Sequence, residues 1–337
     1  MNRKRILTGD RPTGPLHLGH YVGSLKNRVR LQSEYDTLCE IADVQMLTTH
    51  FEHPEVLKPT ARLVCLDYLA AGIDPDQATI FIQSSVPEIA ELTVFYSMIV
   101  TVNVLRHNPT IKTEARQYGF GEAMTYGFLG YPVSQAADIT FCKADLVPVG
   151  EDQMPHIELT RKIVRRFNEL YGPTLVEPEG LVGEVGRLVG LDGNTKMSKS
   201  LKNCINLSDP PEEVVRRVNT AVTDPARIHV HDPGHPDVCN VFTYQKVFNP
   251  AFVPELEANC KAGKIGCVAC KKTLIEALNG LLEPMRERRK RYEQNPDLVT
   301  EILLAGARRA RELGRETLAD VRRAMKIDYF THPQIPR

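Results

Sequence analysis

Two histidines and two lysines stand out for the chemistry their spacing allows. His17 and His20 close the stretch Thr8-Gly9-Asp10-Arg11-Pro12-Thr13-Gly14-Pro15-Leu16-His17-Leu18-Gly19-His20, which follows the apolar pair Ile6-Leu7. An apolar run, a Gly- and Pro-rich turn and an amphipathic segment make a buried strand, a tight loop and a helix start. Unpaired backbone N–H groups at such a start favour phosphate. Both imidazoles share one face of the first turn and can donate to a polyphosphate. Gly19 between them has no Cβ, so a flat base or ribose can approach the backbone. Far downstream, Lys196-Met197-Ser198-Lys199-Ser200 sets two lysines among small hydroxyl residues. That loop suits a site where negative charge builds on a departing pyrophosphate. Alone, each stretch is equally an ordinary surface turn; as a pair they point to phosphate chemistry.

Those residues need elements to hold them. Strands are expected at 5–9, 37–42 and 79–83, alternating with helices at 17–32 and from His53 to Gly72. Such alternation predicts an α/β fold with a doubly wound parallel sheet. Its ligands belong beyond the C-terminal strand ends, where the loops at 10–16 and 84–86 would lie. A helix is expected at 86–107, and Leu146–Gln153 reads as a strand that ends in Gly150 and opens an acidic helix start. Past Ser200 the periodicity is helical, at 211–221, 271–283, 297–313 and 315–326, without strand-like alternation of comparable strength. The expected division is therefore 1–200, then a helical domain at 201–330, then a tail at 331–337.

Together the two signatures resemble those of the class I aminoacyl-tRNA synthetases, and the residues between them resemble the tryptophan-specific, bacterial-type branch of that family. The resemblance spans about residues 5–330. It implies a Rossmann-like catalytic domain, a helical anticodon-binding domain and a homodimer. It also implies a reaction in which tryptophan and Mg-ATP give tryptophanyl-adenylate and pyrophosphate, after which the acyl group passes to the 3′ ribose of tRNA. His17, His20, Lys196 and Lys199 would stabilise the phosphate charge. Arg11, Pro12, Thr13, Gly19, Lys112, Gly150, Glu151, Asp152, Val189, Met197, Ser198 and Ser200 would complete the ATP site. Arg11 stands where some relatives have Gln. Lys112 falls in an Asn-Pro-Thr-x-Lys similar to that of the family, and is equally an exposed loop lysine.

Substrate choice would lie in Tyr131-Pro132-Val133-Ser134-Gln135-Ala136-Ala137-Asp138-Ile139. A carboxylate among small apolar residues needs a donor, because an unpaired buried charge is costly. An indole offers one N–H donor and no acceptor. In the family the Ala-Ala-Asp carboxylate accepts that N–H, which implies Asp138 as the specificity residue; otherwise it is a helix-surface Asp. The resemblance further implies Tyr131, Gln135, Val147, Val149 and Gln153 as tryptophan-site residues, with Gln135 where some members have Met. The rivals are a tyrosyl-tRNA synthetase and a paralogue that binds RNA or senses redox state.

The 337 residues are 42% hydrophobic and 25% charged with zero net charge, a globular composition in which nucleic-acid contact must come from local patches. Residues 285–330 hold such a basic surplus, with the cluster Arg286, Arg288, Arg289, Lys290 and Arg291 suited to tRNA phosphate, or to an ordinary solvated helix face. No apolar run spans a membrane and Met1–Arg5 lacks the core of a signal peptide, so a cytoplasmic enzyme is expected. Of eight cysteines, Cys239, Cys260, Cys267 and Cys270 cluster in the second half and end in Cys-x-x-Cys. That is metal-ligand spacing, for zinc or a [4Fe-4S] cluster, with free thiols as the alternative. Some bacterial members of the family carry such a cluster with similar spacing, the first gap here being slightly shorter.

Overall fold

A computed structural model describes residues 3–120, 123–182, 188–193, 197, 201 and 203–330, leaving aside the Asp152 side chain. Lys196, Ser198, Lys199 and Ser200 of the second signature lie outside the described residues, as does the tail at 331–337.

Short, largely apolar runs form five parallel strands: β1 (Arg5–Asp10), β2 (Asp36–Ile41), β3 (Ala78–Ile82), β4 (Leu146–Val149) and β5 (Glu179–Val182). Their order is β3-β2-β1-β4-β5, with Ile6 of β1 aligned to Thr37 on one side and Leu146 on the other. The winding reverses at β1, so the crevice beyond β1 and β4 is where a doubly wound sheet receives ligands. β5 was not expected. Its sequence, Glu-Gly-Leu-Val, lacks a periodic signal, and it pairs because Gly180 makes room for Met154, whose sulfur lies 2.7 Å from where a Cβ would stand.

The expected helix at 17–32 is one helical run with three segments: α1 (Leu18–His20), a π-helical turn at Tyr21–Leu25, and α2 (Lys26–Leu31). α3 (Asp43–His50) follows β2, and α4 (Leu57–Ala71) ends at Gly72, whose φ of +112° suits a residue without Cβ. The single helix expected at 86–107 is broken into α5 (Glu88–Ser97) and α6 (Val102–His107), because the Thr101 side chain accepts from the Val104 N–H and starts a new helix. Asn108 then caps α7 (Pro109–Tyr118), so Lys112 sits on a helix rather than in a loop. α8 (Tyr126–Thr140) and α9 (Met154–Tyr171) flank β4. The second half adds α10 (Pro211–Thr220), α11 (Asn240–Phe248), α12 (Val253–Lys261), α13 (Cys267–Glu293) and α14 (Pro296–Ala324). α14 is one helix across both of the segments expected at 297–313 and 315–326. No described helix is long and apolar enough to cross a membrane.

Two apolar layers cover the sheet. Cys39, Ile41 and Ile80 face α4, α10, α11 and α13, whereas Leu7, Leu38 and Phe81 face α5, α8 and α9. This is the two-residue alternation of strands buried on both sides. α14 contributes to both layers, Val299 to the first and Ala310 to Val321 to the second, because it crosses the exposed edge of β3. At the crossing Gly306 lies so close that a Cβ would stand 1.8 Å from the Ile80 carbonyl oxygen.

Candidate active site

The first signature is held from both flanks. The Leu18 N–H donates to the Ile205 carbonyl at 2.9 Å, the Leu207 N–H to the Leu16 carbonyl at 2.9 Å, and the Leu16 N–H to the Asp67 carboxylate at 2.6 Å. Within it, the Gly19 N–H donates to Nδ1 of His17 and the His17 N–H to Nδ1 of His20, both at 3.2 Å. A ring nitrogen that accepts carries no proton, so this network assigns the proton of each neutral ring to Nε2. The rings lie 3.9 Å apart between centroids, and two Nε2–H donors suit one anionic group. Met197, the one described residue of the second signature core, is buried with its sulfur 3.2 Å from where a Gly19 Cβ would stand. Residues 178 apart in sequence thus meet at Gly19.

Asp10 at the end of β1 accepts from Arg28 at 2.6 Å and from the Tyr68 hydroxyl at 2.9 Å. Burial alone would raise its pKa, but Arg28, and then His20, outweigh it and hold the carboxyl at about 2. Arg28 also donates to the Gly9 carbonyl of β1 at 3.3 Å, which locks α2 against the strand end. Neither Asp10 nor Arg28 was assigned from the sequence. Of the other expected ATP residues, Pro12 is buried, Thr13 exposed, and Arg11 reaches Glu114 of α7 at 3.5 Å. Lys112, exposed on α7, lines a groove with Arg106 and Arg116. Gly150 and Glu151 are exposed at the end of β4, beside the start of α9. Val189 accepts through its carbonyl from the Tyr244 hydroxyl at 2.6 Å, which ties its backbone to α11.

Asp138 is not on a helix surface: it is 2% exposed, in the layer between α8 and the sheet. One carboxylate oxygen accepts from the Gln83 amide at 2.8 Å and the other from Gln45 at 3.2 Å. Gln83 returns the favour at 3.0 Å by accepting the Gln45 backbone N–H. Burial holds Asp138 above the ordinary carboxylate range, against the lowering effect of those amide donors. Neighbouring Glu40, on β2, is raised well above its ordinary value, first by burial and then by Asp138. One of two adjacent buried carboxyls stays protonated for the reason that like charges cannot both be desolvated. Gln45, Gln83 and Glu40 escaped the sequence reading; only a rule that a buried carboxylate needs donors hinted that partners must exist.

Tyr131, about two helical turns before Asp138 on α8, is buried and its hydroxyl meets Nε2 of His156 at 3.0 Å. Gln135 is half-buried between them on the same helix face. Val147 is buried in the layer shared with Tyr131, with half-buried Val149 packed against it, and Gln153 is half-buried before α9.

The metal expectation finds no support in this arrangement. Among the described residues no three His, Cys, Asp or Glu side chains stand close enough to hold a metal ion. Cys239, Cys260, Cys267 and Cys270 do come into one neighbourhood, before α11, on α12 and at the start of α13. Two of the sulfurs also accept hydrogen bonds, Cys260 from the Arg227 guanidinium and Cys270 from the Gln245 amide, each at 3.7 Å. The donor set fits a soft metal in kind and in its spacing along the sequence. The basic cluster on α13 is also largely spent within the fold: Arg286 donates to the Asp209 carbonyl, Arg288 to that of Ala70, and Arg289 to Asp67. Lys290 and Arg291 stay exposed.

Residues 1–283 match the family described as class I tRNA synthetases (W and Y). A tryptophan–tRNA ligase of Streptococcus mutans is 51% identical over 340 aligned residues, which cover 98% of this chain and 100% of that one. One from Lactococcus lactis is 50% identical over the same shares of the two chains. Among solved structures, the tryptophanyl-tRNA synthetase of Campylobacter jejuni, complexed with ADP and tryptophan, superposes with a TM-score of 0.85 at 31% identity, covering 96% of this chain and 99% of its own. With a family match over most of its length and relatives at half identity end to end, the chain belongs to the class I tRNA synthetases specific for tryptophan and tyrosine.

Proposed function

We infer that the chain is a tryptophan–tRNA ligase. The observation that carries this is the buried Asp138 carboxylate, backed by half identity over the full length to enzymes of that name. A carboxylate has about four acceptor positions, and the two amide donors and the Glu40 carboxyl leave room for one more. An indole N–H fills it. A phenyl ring would leave the acceptor unpaired, which is how a polar pocket discriminates.

In the first step the tryptophan carboxylate attacks the α-phosphate of Mg-ATP. One P–O bond forms, the bond to the bridging oxygen breaks, and pyrophosphate leaves. No protein nucleophile is needed, and catalysis is positioning with stabilisation of developing charge. The Nε2–H groups of His17 and His20 are the donors we assign to the phosphates, with Lys196 and Lys199 closing from the second signature. Arg11, Pro12, Thr13, Gly19, Gly150, Glu151, Asp152, Val189, Met197, Ser198 and Ser200 line the nucleotide, and Lys112 offers a further cation. Tyr131, Gln135, Val147, Val149 and Gln153 surround the amino acid. In the second step the ribose hydroxyl of tRNA displaces AMP from the acyl carbon. Residues 1–200 carry the chemistry and 201–330 the anticodon contacts, where Lys290 and Arg291 remain available for phosphate.

A homodimer is supported by Val94, Met98, Val102 and Val104, apolar side chains left exposed along α5 and α6. A cytoplasmic setting follows from the role in translation. An iron–sulfur or zinc centre at the four cysteines rests on their spacing alone, and a visible absorbance band from freshly purified protein is its test.

Tryptophan-dependent exchange of pyrophosphate into ATP, run without tRNA across twenty amino acids, tests the function. Exchange with tryptophan alone is expected. Exchange with tyrosine, or with none, would overturn the assignment.

A further inference from the structure

A buried ion pair joins the second half of the chain to the first signature. Asp67 on α4 is fully buried and Arg289 on α13 is 7% exposed, and the guanidinium donates to one carboxylate oxygen. The other oxygen accepts the Leu16 N–H at 2.6 Å, one residue before His17. Arg289 is itself steadied by Glu293 at 2.7 Å, and next to it Arg288 donates to the Ala70 carbonyl at 2.7 Å. α13 is therefore bolted to α4 at two points within one turn of each other, and Asp67 carries that contact onward to the signature backbone.

We propose that Asp67 is a positioning residue whose ion pair with Arg289 sets the backbone of Leu16–His20, so that the seating of α13 is felt at the phosphate-binding histidines. The physical argument is one of alternatives. A fully buried carboxylate must keep its charge compensated, and the Arg289 guanidinium and the Leu16 N–H each hold one of its oxygens. If α13 shifts, Asp67 must follow the guanidinium or lose it, and either course disturbs the hydrogen bond to Leu16. The next two backbone bonds of the signature, Gly19 to His17 and His17 to His20, orient both imidazoles. A displacement there moves the phosphate donors. The amino-acid pocket lies in the other apolar layer, under Asp138, and is not on this line.

The proposal rests on the assigned activity for one arm of its test only. In the first arm, amide hydrogen exchange is followed by mass spectrometry on peptides spanning 16–20. Arg289→Gln and Asp67→Ala are expected to exchange about tenfold faster there than wild type, with Arg289→Lys restoring most of the protection. Unchanged protection in a folded Arg289→Gln variant overturns the tether. In the second arm, pyrophosphate exchange is normalised to active sites counted by the adenylate burst. Arg289→Gln should lose about tenfold in kcat per site with its tryptophan KM within about twofold of wild type, because the misplaced groups face phosphate. A merely structural role would lower the count of active sites and leave the per-site constants unchanged, and that result also overturns the proposal. Were wild type itself inactive with tryptophan, the functional assignment would fall while the first arm still decided the tether.

Discussion

Met197 packs on Gly19: the methionine sulfur lies 3.2 Å from the position a Gly19 Cβ would take, and Nδ1 of His17 lies 3.0 Å from it. Gly19→Ala is therefore expected to push the two signatures apart or rotate the His17 ring. Contacts near 3 Å are tight enough that a shift of a few tenths of an ångström must follow. Misplacement on that scale costs about tenfold or more in rate. Steady-state pyrophosphate exchange should show a lower kcat, with the unfolding midpoint little changed.

Asp138 makes the second prediction. Asp138→Ala strands the Gln83 and Gln45 amides and removes the acceptor, which should cost about 100-fold or more in kcat/KM for tryptophan. No other amino acid should gain as much. Kinetics near wild type would remove Asp138 from the pocket.

The raised titration of Asp138 has a sign that can be read in solution. Below its folded pKa the carboxyl is neutral and a poorer acceptor, so the KM for tryptophan should fall as pH rises through that value. Asp138→Asn should flatten this limb. The same shift makes stability decline as pH climbs from the ordinary carboxylate range through the raised one, because the folded state binds the proton more tightly.

Asp10 runs the other way. Its pKa falls from 3.8 to about 2, so its contribution is present above about pH 4 and is lost as pH drops toward 2. The shift corresponds to on the order of 2 kcal/mol. Asp10→Asn should remove that acid-side slope from urea unfolding curves. It should also destabilise at neutral pH by about 3 kcal/mol, since Arg28 is left buried without its partner.

Gly306→Ala tests the crossing of α14 over β3. Elsewhere in a helix alanine is the better residue, but here its methyl would stand 1.8 Å from the Ile80 carbonyl oxygen. The helix must lift from the strand edge, and a loss of about 1–3 kcal/mol in chemical unfolding is expected.

The sequence by itself determined the elements whose signals are local. The strand–turn–helix around His17 and His20, the alternation of strands and helices, and the Gly72 stop on α4 all lie within short windows, where period and turn chemistry act. Asp138 was singled out by the likeness of its Ala-Ala-Asp context to the family's motif, not by any local period. Tertiary structure alone decided what meets what. Gln45 and Gln83 reach Asp138 across 93 and 55 residues, Arg289 reaches Asp67 across 222, and Met197 finds Gly19 from the far end of the domain. None of these pairs leaves a periodic trace, because each is selected by the desolvation of a buried charge or by the space beside a missing Cβ. The α13 arginines show the converse. Their composition suggested phosphate, but neighbouring carbonyls and a carboxylate in the folded chain had already taken three of them.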